Sequence, residues 1–97
     1  MIEVSFHEMA EQELNEAASY YDAQNRGLGR AFLDEIERAI RRILDYPEAA
    51  PLLNRVVRHK LIRRFPYGIM YSVHPEGIRI LAIANHKRRP LYWRGRR

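Results

Sequence analysis

The chain has 97 residues, with 17 Lys/Arg against 12 Asp/Glu for a net charge of +5, and its 46% hydrophobic content excludes a disordered or low-complexity chain. The lack of cysteine excludes a disulfide framework and a thiolate zinc site, and suits a reducing cytoplasm; the longest apolar run, Ile80 to Ala84, is far too short to span a bilayer. The N-terminus has neither the basic start nor the apolar stretch of a signal peptide, so the expectation is one soluble cytoplasmic domain over residues 1–97, burying about two thirds of the surface its unfolded form exposes.

Ile2, Val4 and Phe6 alternate with Glu3 and Ser5, which predicts a short opening strand. Ser5 and Glu8 then match a capping box, in which each side chain satisfies a free backbone N–H at a helix start. Ala10, Leu14, Ala17, Ala18 and Tyr21 follow at helical spacing, and Gly27 and Gly29 interrupt that helix. Phe32, Ile36, Ile40 and Ile43, with Leu33 and Leu44, predict a second amphipathic helix that stops at Tyr46-Pro47. The short linker makes the two a hairpin. Glu11, Asp22, Asp34, Glu35, Glu37 and Asp45 lie mostly off the apolar stripes, on a solvated surface.

From Arg55 the period changes to two. Val57, Leu61 and Phe65 are expected on one face of a strand, with Arg58, Lys60 and Arg64 on the other. Tyr67, Ile69, Tyr71 and Val73 continue on the next strand, His74-Pro75-Glu76-Gly77 reads as a tight turn, and Ile78 to Asn85 is apolar on both faces, as a central strand would be. The resulting fold class is α+β in the order β-α-α-β-β-β, with a two-helix hairpin packed on one face of a small, mainly antiparallel twisted sheet. The other face is expected to be open and basic.

Charge is divided unevenly. Residues 1–54 hold 11 Asp/Glu and 5 Lys/Arg, whereas residues 55–97 hold 1 and 12, and the basic half also carries half of the aromatic rings. Such a surface attracts polyanions or acidic protein patches. Gly27-Leu28-Gly29 lacks the third glycine of a nucleotide-binding loop and follows a helix, so it reads as a helix connection. His7, His59, His74 and His86 show no metal-ligand spacing, and Ser5, Ser19 and Ser72 sit in no nucleophile elbow, so neither a metal nor another cofactor is expected. His59, His86, Tyr67 and Tyr92 lie among the cations. These residue types supply the base, acid and cations of phosphodiester cleavage, and equally the contacts of a surface that binds an acidic protein.

The run Arg64-Phe65-Pro66-Tyr67 with Ile69-Met70-Tyr71, and then Ile80 through Pro90 with Tyr92-Trp93, resembles the RelE/ParE toxin superfamily. Ala17-Ala18-Ser19-Tyr20-Tyr21, the segment Gly27 to Leu33 and the loop bounded by Pro47 and Pro51 resemble it too, so the likeness covers nearly the whole chain. It implies the toxin half of a bacterial type II toxin–antitoxin system, associated with plasmid stabilisation and growth arrest, and a cognate antitoxin that neutralises it in a hetero-oligomer. RelE-like members cleave messenger RNA on the ribosome, whereas ParE-like members act on DNA gyrase and are not nucleases. RelE-like nucleases place an arginine directly after the tyrosine that opens the third strand and a lysine on the second strand, where this chain has Gly68 and Leu61. Arg88 and Tyr92 do match the nuclease positions near the C-terminus.

The Arg-Phe-Pro-Tyr and His-Lys-Arg-Arg-Pro-Leu-Tyr-Trp signatures resemble the ParE branch. The implied function is therefore gyrase binding, with Arg58, Lys60, Arg64, Lys87, Arg88, Arg89, Tyr92, Trp93 and Arg94 as contact residues. One alternative is a metal-independent ribosome-dependent endoribonuclease, with Arg58, Lys60 and Arg88 on phosphate and His59, His86 or Tyr92 exchanging protons. The other is a degenerate toxin kept only to bind its antitoxin.

Overall fold

The computed structural model describes residues 3–97, so Ile2, assigned above to the opening strand, lies outside the described residues. The elements are β1 (Glu3–Phe6), α1 (Glu8–Gln24), α2 (Leu28–Asp45), β2 (Val57–Leu61), β3 (Tyr67–His74) and β4 (Gly77–Asn85). The sheet order is β1-β4-β3-β2, with β1 parallel to β4 and the other pairs antiparallel. This is the expected α+β arrangement, and the apolar β4 is an inner strand. Among the described residues no helix is long and apolar enough to cross a membrane.

The helices pack on the face of the sheet that carries Ile69, Tyr71, Ile78, Ile80 and Ile83. Phe32 lies at its centre, fully buried, with ring centroids 5.5 Å from Tyr21, 5.3 Å from Phe65 and 5.0 Å from Tyr67. Tilted and edge-on pairs of this kind add about 0.5–1.5 kcal/mol each beyond area burial. The hairpin is tied by Asp22, whose Oδ1 accepts from the amides of Gly27 and Gly29. Gly29 belongs to α2 itself: a Cβ there would meet the Ala18 carbonyl and the Asp22 side chain, so glycine lets the two helices approach.

Two local expectations are corrected. The capping box does not form, because Ser5 and Phe6 stay extended by pairing with Arg79 and Ile80, and the helix starts only at Glu8. His7 is the N-cap, its Nδ1 accepting from the Met9 amide at 3.0 Å. Glu35 is also not on the solvated surface. It is buried and paired with Arg38 at 3.1 Å.

The faces of β2 are the larger correction. Residues opposite one another on antiparallel strands share a face. Arg58 opposes Tyr71 and Lys60 opposes Ile69, so these two cations project on the helix side, while Val57, His59 and Leu61 project on the far side with Ser72, Met70 and Gly68. The period of two breaks after Leu61, where the chain turns through Arg64 at φ 70° and returns Phe65 to the main core. Strand alternation therefore cannot be extended to Arg64 or Phe65. Nor is the far face open and basic: Val57, Met70, Leu81, Ala82, Ala84 and Trp93 form a second apolar core there, closed by the C-terminal segment.

β1 pairs with β4 only as far as Ile80. Beyond it, side chains take the place of a strand. Glu13 of α1 accepts from the Ile83 amide at 3.1 Å, and Arg96 donates to the Leu81 carbonyl at 3.0 Å. Glu13 and Arg96 also bind each other through two N–H···O contacts of 3.0 Å, with both side chains largely buried. Removing one member of a buried pair leaves an uncompensated charge, at a cost of about 3–5 kcal/mol. Chemical denaturation should thus show Arg96→Met destabilised by about 3 kcal/mol, and Arg96→Met combined with Glu13→Gln losing less than the two single variants summed.

Candidate functional site

A groove of about 500 Å³ crosses the far face between β2 and the C-terminal segment, lined among others by Leu53, His59, Leu61, His86, Arg88 and Tyr92. Its walls are built by ordinary folding chemistry. Trp93 is buried against Met70 and Ala84 in the second core and so anchors the segment. The Arg88 guanidinium lies 3.9 Å and that of Arg96 5.1 Å from the centre of the Tyr92 ring, cation–π contacts that orient the phenol. Leu53, Leu61 and Leu91 form an exposed apolar rim.

Nε2 of His59 is buried without a hydrogen-bond partner among the described residues, and the Tyr92 hydroxyl is buried beside the Glu13 carboxylate. Burial lowers the pKa of His59 below its ordinary 6.5, with the nearby His86 adding to the effect, so the ring is neutral at pH 7. Burial and then the adjacent Glu13 carboxylate hold the Tyr92 phenol well above its usual range. The groove therefore presents a neutral imidazole, a neutral phenol and the cations of Arg88 and Arg89 inside an apolar rim.

Gly68 makes room for this arrangement. A Cβ on it would collide with Nε2 and Cδ2 of His59, so the ring occupies the space a side chain would take. Leu91, on the opposite wall, adopts φ 61°, a left-handed conformation that costs a branched residue about 1–2 kcal/mol. Strain of this kind is concentrated at functional segments.

The residues expected to act together are divided by the sheet. His59, His86, Arg88, Arg89, Tyr92 and Trp93 converge on the groove, with Trp93 only 3% exposed and serving as support instead of contact. Arg58 is on the other side. Its guanidinium donates to the carbonyls of Glu48 at 2.8 Å and Ala50 at 2.7 Å, fixing the loop that precedes β2. Lys60 lies beside Arg42 of α2. Arg64 stacks on Phe65 at 5.5 Å, and Lys87 and Arg94 are exposed on the C-terminal segment. Glu13, Arg96 and the leucine rim escaped sequence reading. Glu13 sits next to Leu14 on the apolar side of α1, but a lone acid there carries no sign of its partner 83 residues away.

The sequence model of the family described as "ParE toxin of type II toxin-antitoxin system, parDE" matches residues 4–90. A similar solved structure is the chromosomal ParDE TA system from P. aeruginosa, 16% identical, with a TM-score of 0.64 over 88% of this chain and 96% of that one. No curated protein matches the chain.

Gly68→Ala should destabilise by about 1–3 kcal/mol through overpacking, and His59→Ala in the same chain should recover part of that loss in denaturant unfolding. A histidine whose folded pKa is depressed takes up its proton more readily when unfolded, so stability falls as pH drops below the ordinary value of 6.5. Melting temperature should fall between neutral and mildly acidic pH, and His59→Gln should flatten that slope.

Proposed function

The chain belongs to the ParE toxin family of type II toxin–antitoxin systems, and from this premise we propose that it arrests growth by binding DNA gyrase through the far-face groove and that a cognate antitoxin neutralises it. The carrying observation is the groove's make-up: exposed leucines around Arg88, with the rings of His59 and Tyr92 in its wall. Interfaces are anchored by apolar groups packed beside arginine and tyrosine. The contact residues proposed are His59, His86, Arg88, Arg89, Leu91 and Tyr92.

Messenger-RNA cleavage is the second reading, and the meeting of His59, His86, Arg88 and Tyr92 in one groove favours it. It needs cations on the scissile phosphate, yet Arg58 and Lys60 project from the opposite side of the sheet. Arg58 is already engaged with loop carbonyls. The binding reading uses the groove as it stands.

Purified toxin should block gyrase supercoiling of a plasmid, and Arg88→Glu should weaken that block by about tenfold or more. Normal supercoiling at excess toxin would remove gyrase as the target, and cuts within codons of translated message would put the nuclease in its place. Leu91→Gly separates contact from folding. It should leave stability unchanged or raise it by about 1 kcal/mol, by relieving the left-handed strain, while weakening inhibition.

A further inference from the structure

Residues 77–97 carry seven Lys/Arg and no Asp/Glu. Beyond Asn85 the chain doubles back along β4. The Lys87 amide donates to the Asn85 side chain at 2.8 Å, Arg96 reaches the Leu81 carbonyl, and the Arg97 carbonyl accepts from Arg79 at 3.1 Å. From Asn85 to Arg79 is about 20 Å at about 3.3 Å per residue. The segment is held in place by Trp93 in the second core and by turn hydrogen bonds from the amides of Tyr92, Arg94 and Arg96. Of its cations, Arg96 is taken by Glu13, and Arg88 and Arg89 line the far-face groove. Lys87, Arg94 and Arg97 are exposed and line no part of that groove, and Arg79 projects on the same far face, opposite Ser5 and Ser72. None of these four has a carboxylate at ion-pair distance among the described residues. At the far end of the segment, Arg79 and Arg97 share a hollow of about 660 Å³ with Ser5 and His74, bounded by Glu3 and Glu76.

We infer that this ribbon of Lys87, Arg94, Arg97 and Arg79 binds the phosphate backbone of duplex DNA, beside the far-face groove. On α2, Arg30, Arg38 and Arg41 are each matched by a carboxylate within about one turn, the pattern of a solvated helix. The ribbon is arranged in the opposite way: like charges held on a fixed backbone repel one another, and a polyanion relieves that repulsion. Its length of about 20 Å faces about six phosphates of one strand, spaced about 3.4 Å along the duplex axis. The large rings of the segment are turned from solvent, Trp93 being buried and Tyr92 covered by the Arg88 guanidinium at 3.9 Å. It therefore offers no aromatic platform on which the bases of a single strand would stack. Its exposed apolar residues, Pro90 and Leu91, belong to the groove, so the ribbon also lacks the apolar anchors of a protein interface. The inference rests on the gyrase reading for its choice of partner, since that enzyme works on duplex DNA; the contact itself is read from the toxin.

The test is fluorescence anisotropy of a labelled duplex of about 20 base pairs, titrated with the full chain between about 50 and 200 mM salt. Four phosphate contacts should give a log–log slope of the association constant against salt of about −3 to −4. Lys87→Gln with Arg94→Gln should bind about tenfold more weakly and flatten the slope by about two, with an unchanged unfolding midpoint showing that the variant is folded. Arg26→Gln with Arg42→Gln removes the same charge from the helical hairpin and should bind nearly as the wild type does. No duplex binding at the lowest salt, an unchanged slope in the ribbon variant, or an equal loss in the hairpin variant overturns the inference. Tighter binding of a single strand of the same length, DNA or RNA, also overturns it. Supercoiling assays with the same proteins separate it from the gyrase reading. A wild type that blocks gyrase without binding duplex sinks the DNA contact alone, and one that binds duplex while gyrase supercoils normally sinks the gyrase reading alone.

Discussion

The Glu13 carboxylate joins three parts of the chain that are far apart in sequence. β1 is four residues long and β4 nine, so the far end of β4 would show an unpaired edge on that side. Glu13 takes the Ile83 amide and Arg96 serves the Leu81 carbonyl, and each satisfies the other. Backbone groups left unpaired in a dry setting are costly, and charged ones more so. Solving the edge in this way has a further effect: it draws the C-terminal segment across the sheet, where Arg96 lies over Tyr92 and Trp93 enters the second core. The same segment supplies one wall of the far-face groove.

Sequence periodicity was a good guide wherever one element ran unbroken. The stripe from Phe32 to Ile43 marks the buried side of α2, and the apolar strand from Ile78 to Asn85 is an inner one. It failed where alternation was carried across a turn, since Arg64 at φ 70° resets the phase between Leu61 and Phe65. It failed at Ser5 because strand pairing, a non-local force, outweighed a local capping signal. Placing Arg58 and Lys60 needed the register against Tyr71 and Ile69, which is not written in β2 alone. His59, His86, Arg88 and Tyr92 line one groove without Arg58 and Lys60, which the sequence groups with them, and Gly68, in sequence only a missing cation, is the space in which the His59 ring lies.

The uneven division of charge also takes on a different meaning. It does not paint one face of the sheet. Some cations are structural: Arg58 fastens a loop and Arg96 closes an edge. Others are matched along α2 by Asp34, Glu35 and Glu37. Of the others, Arg88 and Arg89 line the far-face groove, and Arg42, Lys60 and Arg63 lie along α2 and β2.

The same division bears on the choice between recognition and catalysis. A phosphoryl transition state is stabilised by donors aimed at the charge as it develops, and their effect falls away when they point elsewhere. The far-face groove has a neutral imidazole suited to accept a proton, but its phenol is buried beside a carboxylate, which makes ionisation at Tyr92 hard. The Arg88 guanidinium is stacked on that phenol, and the second-strand cations are turned to the helix side. Apart from the imidazole, these features weaken proton and phosphate chemistry, and none weakens a contact surface. A neutral hydrogen-bonding pair within an apolar rim loses little on desolvation, whereas ionised side chains in the same place would lose much more. The chemistry of the groove is thus better matched to holding a protein partner than to cleaving a phosphodiester.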